Sequence, residues 1–104
     1  MGLNPFFKTN QVLRPKTHFI HFFATSKSEL EADFPRLKGA LTKNGLLWIS
    51  WPKKSSGVET DLSDEVVRKV GLKHGLVDVK VSSIDNIWSG MKFVYRLKDR
   101  EGME

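Results

Sequence analysis

The residues with most chemical potential in this chain follow a run of apolar ones. Leu46-Leu47-Trp48-Ile49-Ser50-Trp51 reads as a strand that stops at Pro52. The chain then opens into Lys53-Lys54-Ser55-Ser56-Gly57-Val58-Glu59-Thr60-Asp61, a loop rich in ammonium and hydroxyl groups. Lysines, free backbone N–H groups and the N-terminus of a following helix are the groups that hold a phosphate or carboxylate. In an open α/β sheet the crevice beyond the strands' carboxyl ends is where ligands bind. Lys53, Lys54, Ser55, Ser56, Gly57 and Thr60 are therefore the candidate ligand-binding residues for an anionic small molecule. Trp51 and Trp88 join them, since amphipathic rings at element ends often line a cleft or stack on a base. The acids Glu59, Asp61, Asp64 and Glu65 oppose an anion there, and their place in the first turn of a helix suits its dipole.

Other chemistry finds less support. His18 and His21 are three apart on a strand, which sends them to opposite faces. His74 sits where a helix should end, a position that favours an imidazolium. No metal site and no cofactor are expected from these three. Ser50, Ser55 and Ser56 lack the G-x-S-x-G elbow and a recognisable base, so no catalytic residue is assigned. With no cysteine in 104 residues, disulfides, thiolate metal sites and thiol nucleophiles are excluded.

The elements that must position the loop can be read from periodicity. Thr17 to Ala24 is a nearly continuous apolar run, consistent with a strand buried on both faces. Ser26-Lys27-Ser28-Glu29 has the capping-box form. Leu30, Phe34, Leu37 and Leu41 then mark one helical face, with Pro35 interrupting it, a kink or fresh start expected near Asp33 and an end at Asn44-Gly45. The second strand is Leu46 to Trp51. Thr60, Asp61 or Ser63 can cap a second helix that buries Leu62, Val66, Val67 and Val70 and ends at His74-Gly75. Leu76 to Val81 and Met91 to Leu97 read as the third and fourth strands, joined by a Ser82–Gly90 loop that contains Trp88.

This β-α-β-α-β-β order predicts a half-Rossmann α/β fold. Its sheet would be mostly parallel and four-stranded, closed by an antiparallel hairpin, with helices packed on it. Three parts are expected: a basic N-terminal arm over 1–16, one α/β domain over 17–97 and a polar tail over 98–104. If the spatial order is first, second, fourth, third, the Thr17–Ala24 strand lies at an edge, an invitation to self-association. The alternative cover is the arm, with Phe6, Phe7, Val12 and Leu13.

The net charge of +5 is concentrated. Lys8, Arg14 and Lys16 supply three charges and the Lys53-Lys54 pair two more, while the rest of the chain balances. Nucleic acid held by the basic arm is therefore a third reading beside a binding module and an enzyme. No apolar run approaches the ~20 residues that cross a bilayer, and the N-terminus lacks a secretory core, so a cytoplasmic protein is expected.

Several segments carry a resemblance. Leu41-Thr42-Lys43-Asn44-Gly45-Leu46-Leu47-Trp48-Ile49 and Gly75-Leu76-Val77-Asp78-Val79-Lys80-Val81 resemble the turn-and-strand segments in the C-terminal half of class I S-adenosylmethionine-dependent methyltransferases. The run Trp51 to Leu62, together with the same Gly75–Val81 segment and Trp88-Ser89-Gly90-Met91-Lys92-Phe93-Val94, is more closely similar to a bacterial domain-of-unknown-function family. The resemblance spans residues 17–97. It implies a Rossmann-like fold, but not a working cofactor site. The glycine-rich turn is missing, and the 16 residues before the first strand are fewer than the ~30 that a βαβ half needs. An enzyme of this kind would have to complete its cofactor site through another subunit.

Overall fold

A computed structural model describes residues 17–101. Four strands form one mixed sheet in the order β1-β2-β4-β3, with β1 at Thr17–Phe23, β2 at Leu41–Pro52, β3 at Leu76–Ser83 and β4 at Trp88–Tyr95. Helix α1 (Lys27–Gly39) joins β1 to β2, and a 3-10 turn (Lys54–Ser56) followed by α2 (Asp64–Lys73) joins β2 to β3. A short helix, α3 (Leu97–Arg100), follows β4 where a polar tail was expected.

The sheet corrects the expected fold class. Only β1 and β2 pair in parallel, whereas β4 pairs antiparallel with both β2 and β3. The two helical crossovers do bring β1, β2 and β3 to point the same way. The last strand then inserts between β2 and β3, replacing what would be a parallel ladder by two antiparallel ones. The sheet is mostly antiparallel, not a mostly parallel half-Rossmann sheet.

Both helix starts follow from short polar side chains. Ser26 Oγ accepts from the Glu29 N–H at 3.2 Å, and Ser63 Oγ accepts from the Val66 N–H at 3.3 Å. The Glu29 carboxylate reaches back to the Thr25 N–H at 3.0 Å, one residue earlier than a standard capping box. α1 runs unbroken through Pro35, so the helix does not start afresh near Asp33; Pro35 itself is exposed.

The helix ends at Gly39, earlier than Asn44-Gly45, because the chain is already extended at Leu41, which pairs with Thr17 and is fully buried. Gly45 has a different task from capping. A Cβ there would sit 2.8 Å from Leu41 Cδ1 and 2.9 Å from the His18 carbonyl oxygen, so β1 and β2 approach closely only because it has none.

Strand alternation sorts the side chains by face. Leu47, Ile49 and Trp51 of β2, with Met91, Phe93 and Tyr95 of β4, are buried with Leu30, Phe34, Leu37, Val67 and Val70 of the helices. Ile20 and Phe22 of β1 pack against this core. The opposite face carries Phe19, His21 and Phe23, and is not covered by a helix among the described residues. Phe19 and Phe23 remain 52% and 48% exposed. β1 therefore packs on the core through one face, and only partly, instead of being buried on two.

At the centre of the core, α2 lies so close to β4 that a Cβ on Gly71 would run into the Phe93 ring. The Phe34 ring meets Phe93 edge-on at 5.7 Å on the other side, so the ring has little room to yield. Gly71→Ala should gain helix propensity yet lose ~1–3 kcal/mol net through overpacking. Urea denaturation checks this, and a variant as stable as the parent would show that the helix can shift.

Candidate functional site

At its carboxyl end β2 stays paired to its last residue, with Trp51 opposite Ser89 and Pro52 opposite Trp88. β4 thus begins at Trp88, three residues before the expected Met91, and the Trp88-Ser89-Gly90 segment is strand, not loop. Pro52 has no N–H to offer the ladder. The Lys53 N–H resumes it, donating to the Ile87 carbonyl at 2.7 Å.

Beyond this point the loop is built largely by its own polar groups. The 3-10 turn closes at Gly57 with φ of 82°, a left-handed conformation that suits glycine. Ser56 Oγ donates to the Lys53 carbonyl at 2.6 Å and accepts from the Val58 N–H at 3.1 Å. Thr60 Oγ1 donates to the Thr25 carbonyl at 2.6 Å and accepts from the Leu62 N–H at 3.1 Å. Asp61 Oδ1 accepts from the Lys27 N–H at 2.8 Å, pinning the loop to the start of α1. Ser56, Gly57 and Thr60 are thus engaged in shaping the loop.

What remains for a ligand is a cavity of about 280 Å³ beside the loop. Its apolar lining is Trp51, Pro52, Leu62 and Val81, and its polar lining is Lys53, Lys54, Ser63, Asp64 and Ser89. Lys53 Nζ donates to Ser83 Oγ at 2.6 Å, which fixes that ammonium near the strand ends. Lys54 and Ser55 are exposed. Among the described residues neither side chain has a hydrogen bond or ion pair. The first turn of α2 contributes its free N–H end, and Asp64 contributes a carboxylate that partly offsets the two lysines. Asp85, near Lys53, is already committed: the N–H groups of Trp88 and Ile87, followed by the Lys53 charge, hold its carboxyl below the ordinary value of 3.8.

The structure divides the expected site. Trp51 is buried on the helix side and lines the cavity. Trp88 belongs to the other face of the sheet, where its ring meets Phe23 edge-on at 4.9 Å. The two tryptophans are neighbours across the ladder but do not share a cleft.

That second face holds a pairing that spacing along the chain does not reveal. His21 Nε2 and Ser50 Oγ lie 2.7 Å apart, bridging adjacent parallel strands. The Phe23 ring stacks on His21 at 4.3 Å. A serine with a nearby imidazole invites comparison with a nucleophile and its base. Ser50, however, is fully buried, and no carboxylate hydrogen-bonds His21 among the described residues. The pair satisfies an interior hydroxyl. His18 stands apart from it, with Nδ1 3.5 Å from Thr42 Oγ1. His74, at the end of α2, stacks on Phe34 with Nε2 3.5 Å from Glu31 Oε1.

No protein-family model matches the chain, and no curated protein matches it. Among the described residues no helix is long and apolar enough to cross a membrane.

Burial lowers the His21 pKa from its ordinary 6.5. The unfolded chain therefore takes up this proton at a higher pH than the folded protein, and stability falls as pH drops below 6.5. His21→Gln keeps an amide where Nε2 stands and should flatten that part of the slope. Urea unfolding at several pH values measures it, and an unchanged slope would remove His21 from the account.

Proposed function

We propose that this protein is a non-catalytic binding module whose ligand is a small organic anion, held at the carboxyl end of β2. One observation carries the reading. The cavity places the Lys53 and Lys54 segment and the N-terminal turn of α2 around a partly apolar lining of Trp51, Leu62 and Val81. Ammonium groups and helix N–H groups select negative charge, while the apolar wall favours a ligand with a hydrophobic or aromatic body. Asp64 argues against a highly charged ligand and for one bearing a single phosphate or carboxylate. The loop's Ser56 and Thr60 support the shape of the site and are not expected to touch the ligand.

Nucleic-acid binding through the basic arm depends on residues 1–16, which lie outside the described residues. The methyltransferase-like reading depends on the sequence resemblance, and S-adenosylmethionine serves as its probe in the same experiment.

Phenyl phosphate titrated into labelled protein should shift the amide resonances of residues 51–55, 62–64 and 81–89, and more strongly than inorganic phosphate does. A charged hydrogen bond contributes roughly 1.5–3 kcal/mol, so K53A/K54A should weaken binding at least ~tenfold. Raising the salt concentration should weaken it further. No shift at millimolar phenyl phosphate would sink the binding-module reading. Saturable shifts at 51–61 with S-adenosylmethionine, stronger than those with phenyl phosphate, would favour the enzyme instead.

A further inference from the structure

The two edges of the sheet differ in how they are guarded. β3 carries Asp78 and Lys80 on either side of a register irregularity. Charge and local distortion are the usual means of stopping a strand from pairing with another chain. β1 has neither over most of its length. Its sequence, Thr-His-Phe-Ile-His-Phe-Phe, contains no carboxylate, lysine or arginine. Its one irregularity lies between Thr17 and Phe19, so Phe19 to Phe23 run in regular register with β2. Among the described residues no strand pairs with β1 on the side away from β2, where an edge strand presents its alternate N–H and C=O groups.

β1 is also self-complementary. Read in either direction from His21, the nearest neighbours are Ile20 and Phe22, and the next are Phe19 and Phe23. Phe19, His21 and Phe23 share the uncovered face, whereas Ile20 and Phe22 turn toward the helices.

We infer that β1 is a homodimer edge, pairing antiparallel with the same strand of a second copy about a two-fold axis through His21. In this register Phe19 faces the partner's Phe23 on the open face. Ile20 faces the partner's Phe22 on the core side. Every cross-strand pair is then apolar or aromatic except His21 against the partner's His21, and aromatic cross-strand pairs are among the favourable ones. The two four-stranded sheets become one, the edge amides gain partners, and no like charges are opposed. A two-fold contact must be complementary to itself, and this strand is. A foreign strand would meet the edge condition alone, without matching its order.

Analytical ultracentrifugation of the full chain tests the proposal. The wild type should sediment as a species of twice 11.9 kDa at micromolar concentration. F19K/F23K puts like charges opposite each other at both ends of the ladder and should raise the dissociation constant at least about tenfold. F19K/F23E puts opposite charges there and should restore dimerisation to within about threefold of the wild type. Circular dichroism checks that both variants fold. Should either fail, hydrogen exchange of the wild type decides: protection of the β1 amides that rises with protein concentration supports the edge contact, and concentration-independent exchange overturns it. A wild-type monomer at millimolar concentration overturns the proposal, as does a dimer indifferent to F19K/F23K. If F19K/F23E is as monomeric as F19K/F23K, the register is wrong and the proposal falls.

Discussion

The fold depends on where β4 is inserted. It is the only strand that runs against the other three, and it supplies both antiparallel ladders. Its inward residues Met91, Phe93 and Tyr95 lie under the helices, and all three are buried. The Phe93 ring occupies the space that the missing side chain of Gly71 leaves, which sets the distance between α2 and the sheet. Tyr95 Oη donates to the Lys38 carbonyl at 2.6 Å, and Lys38 Nζ donates to the His74 carbonyl at 2.7 Å. The ends of α1, α2 and β4 are thus joined by two hydrogen bonds through one lysine. The turn after α2 calls for glycine through its φ of 94°, and a Cβ there would also have to displace Lys38 Nζ, which lies 2.7 Å from that position.

The same strand sets the candidate site. Pairing of Trp51 with Ser89 and of Pro52 with Trp88 holds the carboxyl end of β2 against the start of β4. The cavity therefore has strand on one side and the first turn of α2 on the other. The hydroxyl-rich loop between them is anchored to the beginning of α1 through Thr60 and Asp61. These anchors give the loop its shape but also use up its hydrogen-bonding groups. Of the loop's cationic and hydroxyl groups, Lys54 and Ser55 are the ones left without a partner among the described residues.

Much of this could be read from the residues because local physics decides it. Ser26 and Ser63 cap the helices, and Leu30, Phe34, Leu37, Val67 and Val70 are buried as their spacing predicts. The place of β1 at an edge also follows from the strand order. What was not legible is what long-range pairing decides. Nothing local tells Leu41 that it will pair with Thr17, yet that pairing moves the start of β2 forward and the end of α1 back. The helical crossovers orient β1, β2 and β3 alike, which suggests a mostly parallel sheet; in the order β1-β2-β4-β3, however, β4 separates β2 from β3 and two of the three ladders are antiparallel. Trp51 and Trp88 were grouped by their position at element ends, but alternation across a paired ladder puts their rings on opposite faces. The His21–Ser50 bond joins residues 29 apart and exists only in the observed β1–β2 register.

Among the described residues helices cover the sheet on one face only, which has a further consequence. With α1 and α2 on the same face, the helices bury the inward residues of β2 and β4 and pack on parts of β1 and β3, and among the described residues the other face meets water. β3 meets this with Lys80 and Ser82, which pair with Lys92 and Gly90 of β4. β2 and β4 meet it partly by mutual cover: Lys92 Nζ lies 5.9 Å from the Trp48 ring centroid, and Ile84 approaches Gly90. β1 does not meet it with charge at all; Phe23 packs on His21 and Trp88, and His21 bonds the buried hydroxyl of Ser50. Phe19 and Phe23 remain 52% and 48% exposed there, beside an edge that no other described strand pairs with. A strand selected only for solubility would carry a lysine or a glutamate at position 19 or 23. Their absence is a physical reason to look for a partner along β1, at a surface separate from the lysine-lined cavity beyond β2.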